Sequence, residues 1–266
     1  DIVGNTYVDA GYANSRSWPS VFSDGTTPVC RITGDSISGF YMNCDSVTGK
    51  SERNSFFYVA DPGWPDSRMW MDTKGKGPGH DSFCRLIGGI AANIKLQCTL
   101  RLNYDTWSAD ITSQKIDGGY VGFRYPLKMN GSRQEYCRVT GGYYDYLTCT
   151  KLTDDNVFVN YAMLLPVKIN PSNKAWVSFT DIDGDGRDDM CVMDKSASKV
   201  NCYTNKGGFF NANAITLQLG GIPVGDFIGG TTKIMPIDYT EAGPVVSICY
   251  NDGDNGRVRC DKFTVY

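Results

Sequence analysis

The ten cysteines fall into five close pairs: Cys30 and Cys44, Cys84 and Cys98, Cys137 and Cys149, Cys191 and Cys202, Cys249 and Cys260. First members of successive pairs lie 54, 53, 54 and 58 residues apart. A period of this length marks a repeat architecture. An apolar residue precedes each first cysteine: Val29, Phe83, Tyr136, Met190 and Ile248. An apolar and then a polar residue precede each second one, as in Met42-Asn43 and Leu96-Gln97. Alternation with a period of two is the signature of a strand. Glycines four residues past the first cysteine (Gly34, Gly88, Gly141, Gly253) place a turn between the two strands. Each pair is therefore expected on facing strands of one hairpin, bridged within its own unit, each bridge contributing about 2–3 kcal/mol.

Further strand-like runs flank the hairpins. Upstream lie Trp18 to Ser23, Arg68 to Asp72, Gly119 to Tyr125, Ala175 to Thr180 and Lys233 to Tyr239. Downstream lie Phe56 to Val59, Val157 to Asn160 and Ile215 to Gln218. Four antiparallel strands per unit describe a propeller blade. The expected fold is all-β: a single five-bladed β-propeller over residues 1–266, with one disulfide per blade. Only six residues follow Cys260, and the run Thr6 to Ala10 resembles a fourth strand. The N-terminal strand is expected to close the last blade and hide its edge.

The formal charge of -3, a sequence pI of about 5.2 and the absence of any basic run argue against nucleic acid and anionic membrane as main partners. No apolar run approaches the roughly 20 residues that span a bilayer. Paired cysteines, and a chain that begins at Asp1 without Met, read as a mature secreted, extracellular protein. Asn130-Gly131-Ser132 is a glycosylation sequon.

The densest chemistry lies in Asp181-Ile182-Asp183-Gly184-Asp185-Gly186-Arg187-Asp188-Asp189. Carboxylates at loop positions 1, 3, 5 and 9, with the Arg187 carbonyl at 7, suit a hard cation that takes six to eight oxygens. The alternative is an acidic surface turn. An EF-hand would carry Glu at its twelfth position, where this chain has Val192 ahead of a strand-like run. The metal expectation is one Ca²⁺ on Asp181, Asp183, Asp185, Arg187 and Asp189. Phe179 to Asp189 resembles the calcium repeat of the FG-GAP (or VCBS) family, which includes integrin alpha blades and secreted lectin-like propellers. The resemblance implies a propeller fold for the repeat and a metal site in the fourth unit.

Other chemistry is sparse. The single histidine, His80, sits in a Gly- and Pro-rich loop. Asp24, Asp72, Asp181 and Asp238 lie near strand ends, where paired carboxylates could serve a glycoside hydrolase. The chain holds 16 Tyr, 12 Phe and 5 Trp, enough to furnish aromatic platforms for sugars. Trp64, Trp107, Trp70 and Asp72 are the candidate ligand residues. The expected function is a carbohydrate-binding, lectin-like module with a glycan partner. The alternatives are a glycoside hydrolase and a protein-binding secreted effector or toxin.

Overall fold

The computed structural model describes residues 28–46, 55–74, 82–89, 93–102, 106–142, 145–169, 177–194, 199–218, 233–240, 243–252 and 257–264. These form five antiparallel sheets, each a meander of sequence neighbours. β1 (Pro28–Asp35), β2 (Gly39–Ser46) and β3 (Ser55–Val59) make the first. The second is β4 (Met69–Met71), β5 (Ser82–Ile87), β6 (Lys95–Leu100) and β7 (Ile111–Lys115), and the third is β8 (Arg124–Leu127), β9 (Glu135–Gly141), β10 (Asp145–Leu152) and β11 (Phe158–Leu164). The fourth is β12 (Val177–Thr180), β13 (Asp189–Asp194), β14 (Lys199–Tyr203) and β15 (Ile215–Gln218). β16 (Lys233–Thr240), β17 (Gly243–Asp252) and β18 (Arg257–Thr264) make the fifth.

The cysteine pattern acts locally, as its spacing requires. Cys30–Cys44, Cys84–Cys98, Cys137–Cys149 and Cys191–Cys202 are bridged, with Cα atoms 4.0, 4.1, 4.0 and 4.0 Å apart. Their half-cystines are buried. In the fifth hairpin Cys260 is disulfide-bonded, and Cys249 faces it in the ladder.

The five-bladed propeller expectation is corrected. Among the described residues the sheets are separate, three of four strands and two of three, and no closed ring is present. The runs Trp18 to Ser23 and Thr6 to Ala10, which were to supply a strand and the closure, lie outside the described residues. The physical reason is that alternation and cysteine spacing fix pairing between sequence neighbours only. Ring closure depends on packing between sheets, about which a period of two is silent.

The chain divides into two compact units. One comprises Asp1–Pro126, Arg133–Arg138 and Cys149–Tyr161; the other comprises Leu127–Ser132, Val139–Thr148 and Ala162–Tyr266. In the first unit, Ile32, Met42 and Val59 pack with Trp70 and Phe83 around the Cys30–Cys44 bridge. A second cluster gathers Met71, Leu86, Leu96, Tyr136 and Leu152. In the second unit, Ile182, Met193, Val200 and Leu217 pack with Val246 of β17.

Of the five buried arginines described in the first unit, two are the most deeply buried. Arg85 and Arg138 each follow the first cysteine of a pair and are almost wholly buried. Arg85 donates from Nε to the Asp61 carbonyl (2.7 Å), from Nη1 to Thr99 Oγ1 (2.9 Å), and from Nη2 to Gln97 Oε1 (2.6 Å) and Asp110 Oδ2 (2.9 Å). Arg138 repeats the scheme, donating to the Asp117 carbonyl and to Thr150 Oγ1 (2.8 Å). Burial lowers both guanidinium pKa values, and the neighbouring Arg124 lowers that of Arg138 further, while Asp110 beside Arg85 and Asp117 beside Arg138 favour the charged form. The guanidinium thus ties the connector that enters a sheet to the hairpin at its centre.

Candidate functional site

The Asp181–Asp189 loop joins β12 to β13, and the fourth sheet holds it by both ends. Thr180 and Asp189 are partners in the ladder, so the chain must reverse within the residues between them. Gly184 (φ 78°) and Gly186 (φ 84°) supply the left-handed backbone that this reversal needs. Asp181 folds the turn onto itself: Oδ1 accepts from the Gly184 amide (2.7 Å) and Oδ2 from the Gly186 amide (2.8 Å).

Asp189 anchors the loop from below. It is fully buried, and its two oxygens accept from the amides of Asn205 (2.7 Å) and Ile182 (2.8 Å). Burial pushes its carboxyl up to about 7, against the pull of those amides, and nearby Asp183 and Asp185 push the same way. Asp188 accepts at Oδ2 from the Lys128 amide (2.6 Å), and burial raises its pKa too. The remaining charges are partly matched by cations. Lys206 Nζ lies 3.2 Å from Asp183 Oδ2, and Arg187 Nη2 lies 2.5 Å from Asp185 Oδ2.

Three of the five predicted metal ligands therefore converge. Ligand oxygens of Asp181, Asp183 and Asp189 lie within 4.8 Å of one another. Asp185 turns instead to the guanidinium of Arg187. Sequence reading missed Asn205, which is fully buried. Its Nδ2 donates to the Met129 carbonyl (3.0 Å) and its Oδ1 accepts from the Gly207 amide (2.9 Å). The Asn205-Lys206-Gly207 triplet after β14 was a turn signal that could have drawn attention to it.

The candidate ligand residues do not form one face. Trp64 donates from Nε1 to the Gly88 carbonyl (2.8 Å), carries the Arg124 guanidinium 5.6 Å from its ring and packs against the core. Trp70 and Trp107 do meet, with ring centroids 5.8 Å apart, but Trp70 is buried in the core beside Phe83. Asp72 sits where its backbone exchanges hydrogen bonds with Gln134, both 2.8 Å. Asp24 and His80 lie outside the described residues; Asp238 lies on β16.

No protein-family model matches the chain. It is 34% identical over 260 residues, 98% of its length, to the NAD(+)–arginine ADP-ribosyltransferase Chelt of Vibrio cholerae, and it spans 40% of that protein. This corrects the FG-GAP resemblance. A run of nine residues reflects what oxygen ligation around a tight turn demands, whereas the similarity to the transferase runs through all five units. It also corrects the lectin-like function and the glycan partner. The relative is named for transfer chemistry on arginine using NAD(+), and Trp64 and Trp70 are occupied in packing.

Proposed function

We propose that the chain is the protein-binding portion of a secreted ADP-ribosylating toxin, and that it contributes recognition rather than transfer chemistry. The observation that carries this reading is the shape of the match: nearly the whole chain corresponds to two fifths of a longer enzyme. A section of that size can be a domain with its own task. The scaffold suits recognition, because hairpins cross-linked at their centres present loops that lose little entropy on docking. The buried charges support the same reading. Arg85, Arg138 and Asp189 are engaged by backbone and neighbouring side chains, which uses them for stability. Bridges at the centre of the first four sheets fit a chain that matures outside the reducing cytosol.

The test incubates the purified chain with labelled NAD(+) and agmatine, a small guanidinium acceptor, and separately with cultured cells. The expected result is no label on agmatine, together with saturable, protease-sensitive binding to the cells. Label transferred to agmatine would assign the chemistry to this chain and overturn the proposal.

We also infer that the Asp181–Asp189 loop takes a Ca²⁺ ion. Asp181, Asp183 and Asp189 would supply oxygens, and Lys206 would have to leave Asp183. The ion would rigidify the loop between β12 and β13.

A further inference from the structure

The first hairpin ends in a rigid turn that carries an aliphatic side chain fully into solvent. Ile37 is 95% exposed. Its turn is nonetheless tightly built. Asp35 Oδ1 accepts from the Ile37 amide (2.8 Å), the Ser38 amide (2.7 Å) and Ser38 Oγ (2.8 Å). Gly34 (φ 87°) and Gly39 (φ 88°) flank it. The Cys30–Cys44 bridge crosses the same hairpin. Nothing in this geometry asks for an apolar residue at position 37, and a β-branched one is poorly suited to a turn.

Tyr58 extends the apolar surface. It is 60% exposed, and its ring lies over Gly39, where an added Cβ would stand 2.8 Å from Tyr58 Cε2. It also meets the Tyr41 ring edge-on at 5.7 Å, the two residues being partners in the ladder. Phe40 points the other way, into the core around the bridge. One end of the sheet thus presents Ile37 as a knob, with Tyr58 and Tyr41 beside it.

The geometry points to this tip as the contact with a partner protein, Ile37 entering an apolar pocket whose rim is neutral or basic. The convex shape calls for a concave receiver, and a pre-ordered apolar anchor beside tyrosines is how binding hot spots are built. Charge selects a protein over an anionic lipid surface. From Gly34 to Tyr41 the only charged side chain is Asp35, and its carboxylate would be repelled by anionic headgroups. This inference rests on the reading of the chain as a protein-binding portion and names the surface that performs it.

The test measures binding of the labelled chain to plasma-membrane vesicles from cultured epithelial cells, intact or shaved with trypsin, and to protein-free vesicles of phosphatidylcholine and phosphatidylserine. Intact vesicles should bind the wild type and shaved or protein-free vesicles should not. Burying one aliphatic side chain is worth about ten- to a hundredfold in affinity, so Ile37→Asp should weaken binding by about tenfold or more. Ile37→Leu should retain it, Tyr58→Ala should lose part of it, and all three should melt with the wild type. Equal binding by Ile37→Asp would overturn this surface while leaving a binding role for the chain intact. Failure of the wild type to bind intact vesicles would overturn both. Binding to protein-free vesicles, or self-association in sedimentation velocity that Ile37→Asp abolishes, would replace the protein partner by a lipid surface or a second copy and so overturn the inference.

Discussion

The second and fourth sheets are built around the same bridged hairpin, yet they tie down their loops with charges of opposite sign. In the second, a buried guanidinium on β5 donates to a backbone carbonyl and to neighbouring side chains. In the fourth, a buried carboxylate at the start of β13 accepts from two backbone amides. The sequence at the cysteine sets the choice: Arg85 follows Cys84, whereas Val192 follows Cys191. The guanidinium is satisfied within the protein, because Asp110 supplies its counter-charge. The acidic loop is left with a surplus. Five aspartates between positions 181 and 189 face Arg187 from within and Lys206 from the neighbouring turn. One device is therefore self-sufficient, and the other is the place where an added cation changes stability.

The largest expected effect comes from Arg85→Met. Removing the guanidinium takes a donor from Asp110 Oδ2, Gln97 Oε1 and the Asp61 carbonyl and leaves Asp110 with Thr99 Oγ1 alone, and breaking a buried charge pair costs about 3–5 kcal/mol. Denaturant unfolding checks this, and a loss below about 1 kcal/mol would show the clamp to be incidental. Asp189→Ala should follow, at about 2–4 kcal/mol, since it strands two buried amides. If it proved as mild as a surface substitution, the fourth sheet would not need its carboxylate.

Removing the bridges should affect the two sheets alike. Cys84 and Cys98 are 14 residues apart, and Cys191 and Cys202 are 11 apart. Loop entropy then predicts nearly equal losses of about 3 kcal/mol when either pair is replaced by Ala. A large inequality would mean that strand packing, rather than chain entropy, governs one of them. Calcium should separate the two regions. At a hundredfold excess over its dissociation constant, the ion should add about 2.7 kcal/mol to the wild type. The gain should vanish in Asp183→Asn and persist in Arg85→Met, as thermal unfolding with and without chelator would show.

How much of this was legible in the sequence follows from how far each interaction reaches along the chain. The hairpins were legible, because alternation and cysteine spacing act between neighbours. β15 occupies the residues expected for it, Ile215–Gln218. β8 begins at Arg124 rather than near Gly119, because Asp117 Oδ1 takes the Gly119 amide (2.8 Å) and turns the chain there. The repeated arginine after the cysteine was visible, but its role was not, since its acceptors Asp61 and Asp110 lie 24 and 25 residues away. Trp64 looked like a platform in a loop, yet its partner is the carbonyl of Gly88, 24 residues on. The acidic loop was legible as a local pattern, except that Asp185 pairs with Arg187 inside the same run. The propeller inference failed at the longest range, where sheets pack on sheets.

A chain that recognises a partner and leaves the nucleotide chemistry to other sequence should have no site for NAD(+). Titration of NAD(+) into the purified chain by calorimetry tests it most directly. No saturable heat is expected at millimolar nucleotide. A binding isotherm with a micromolar dissociation constant would contradict it and place the nucleotide site within these 266 residues.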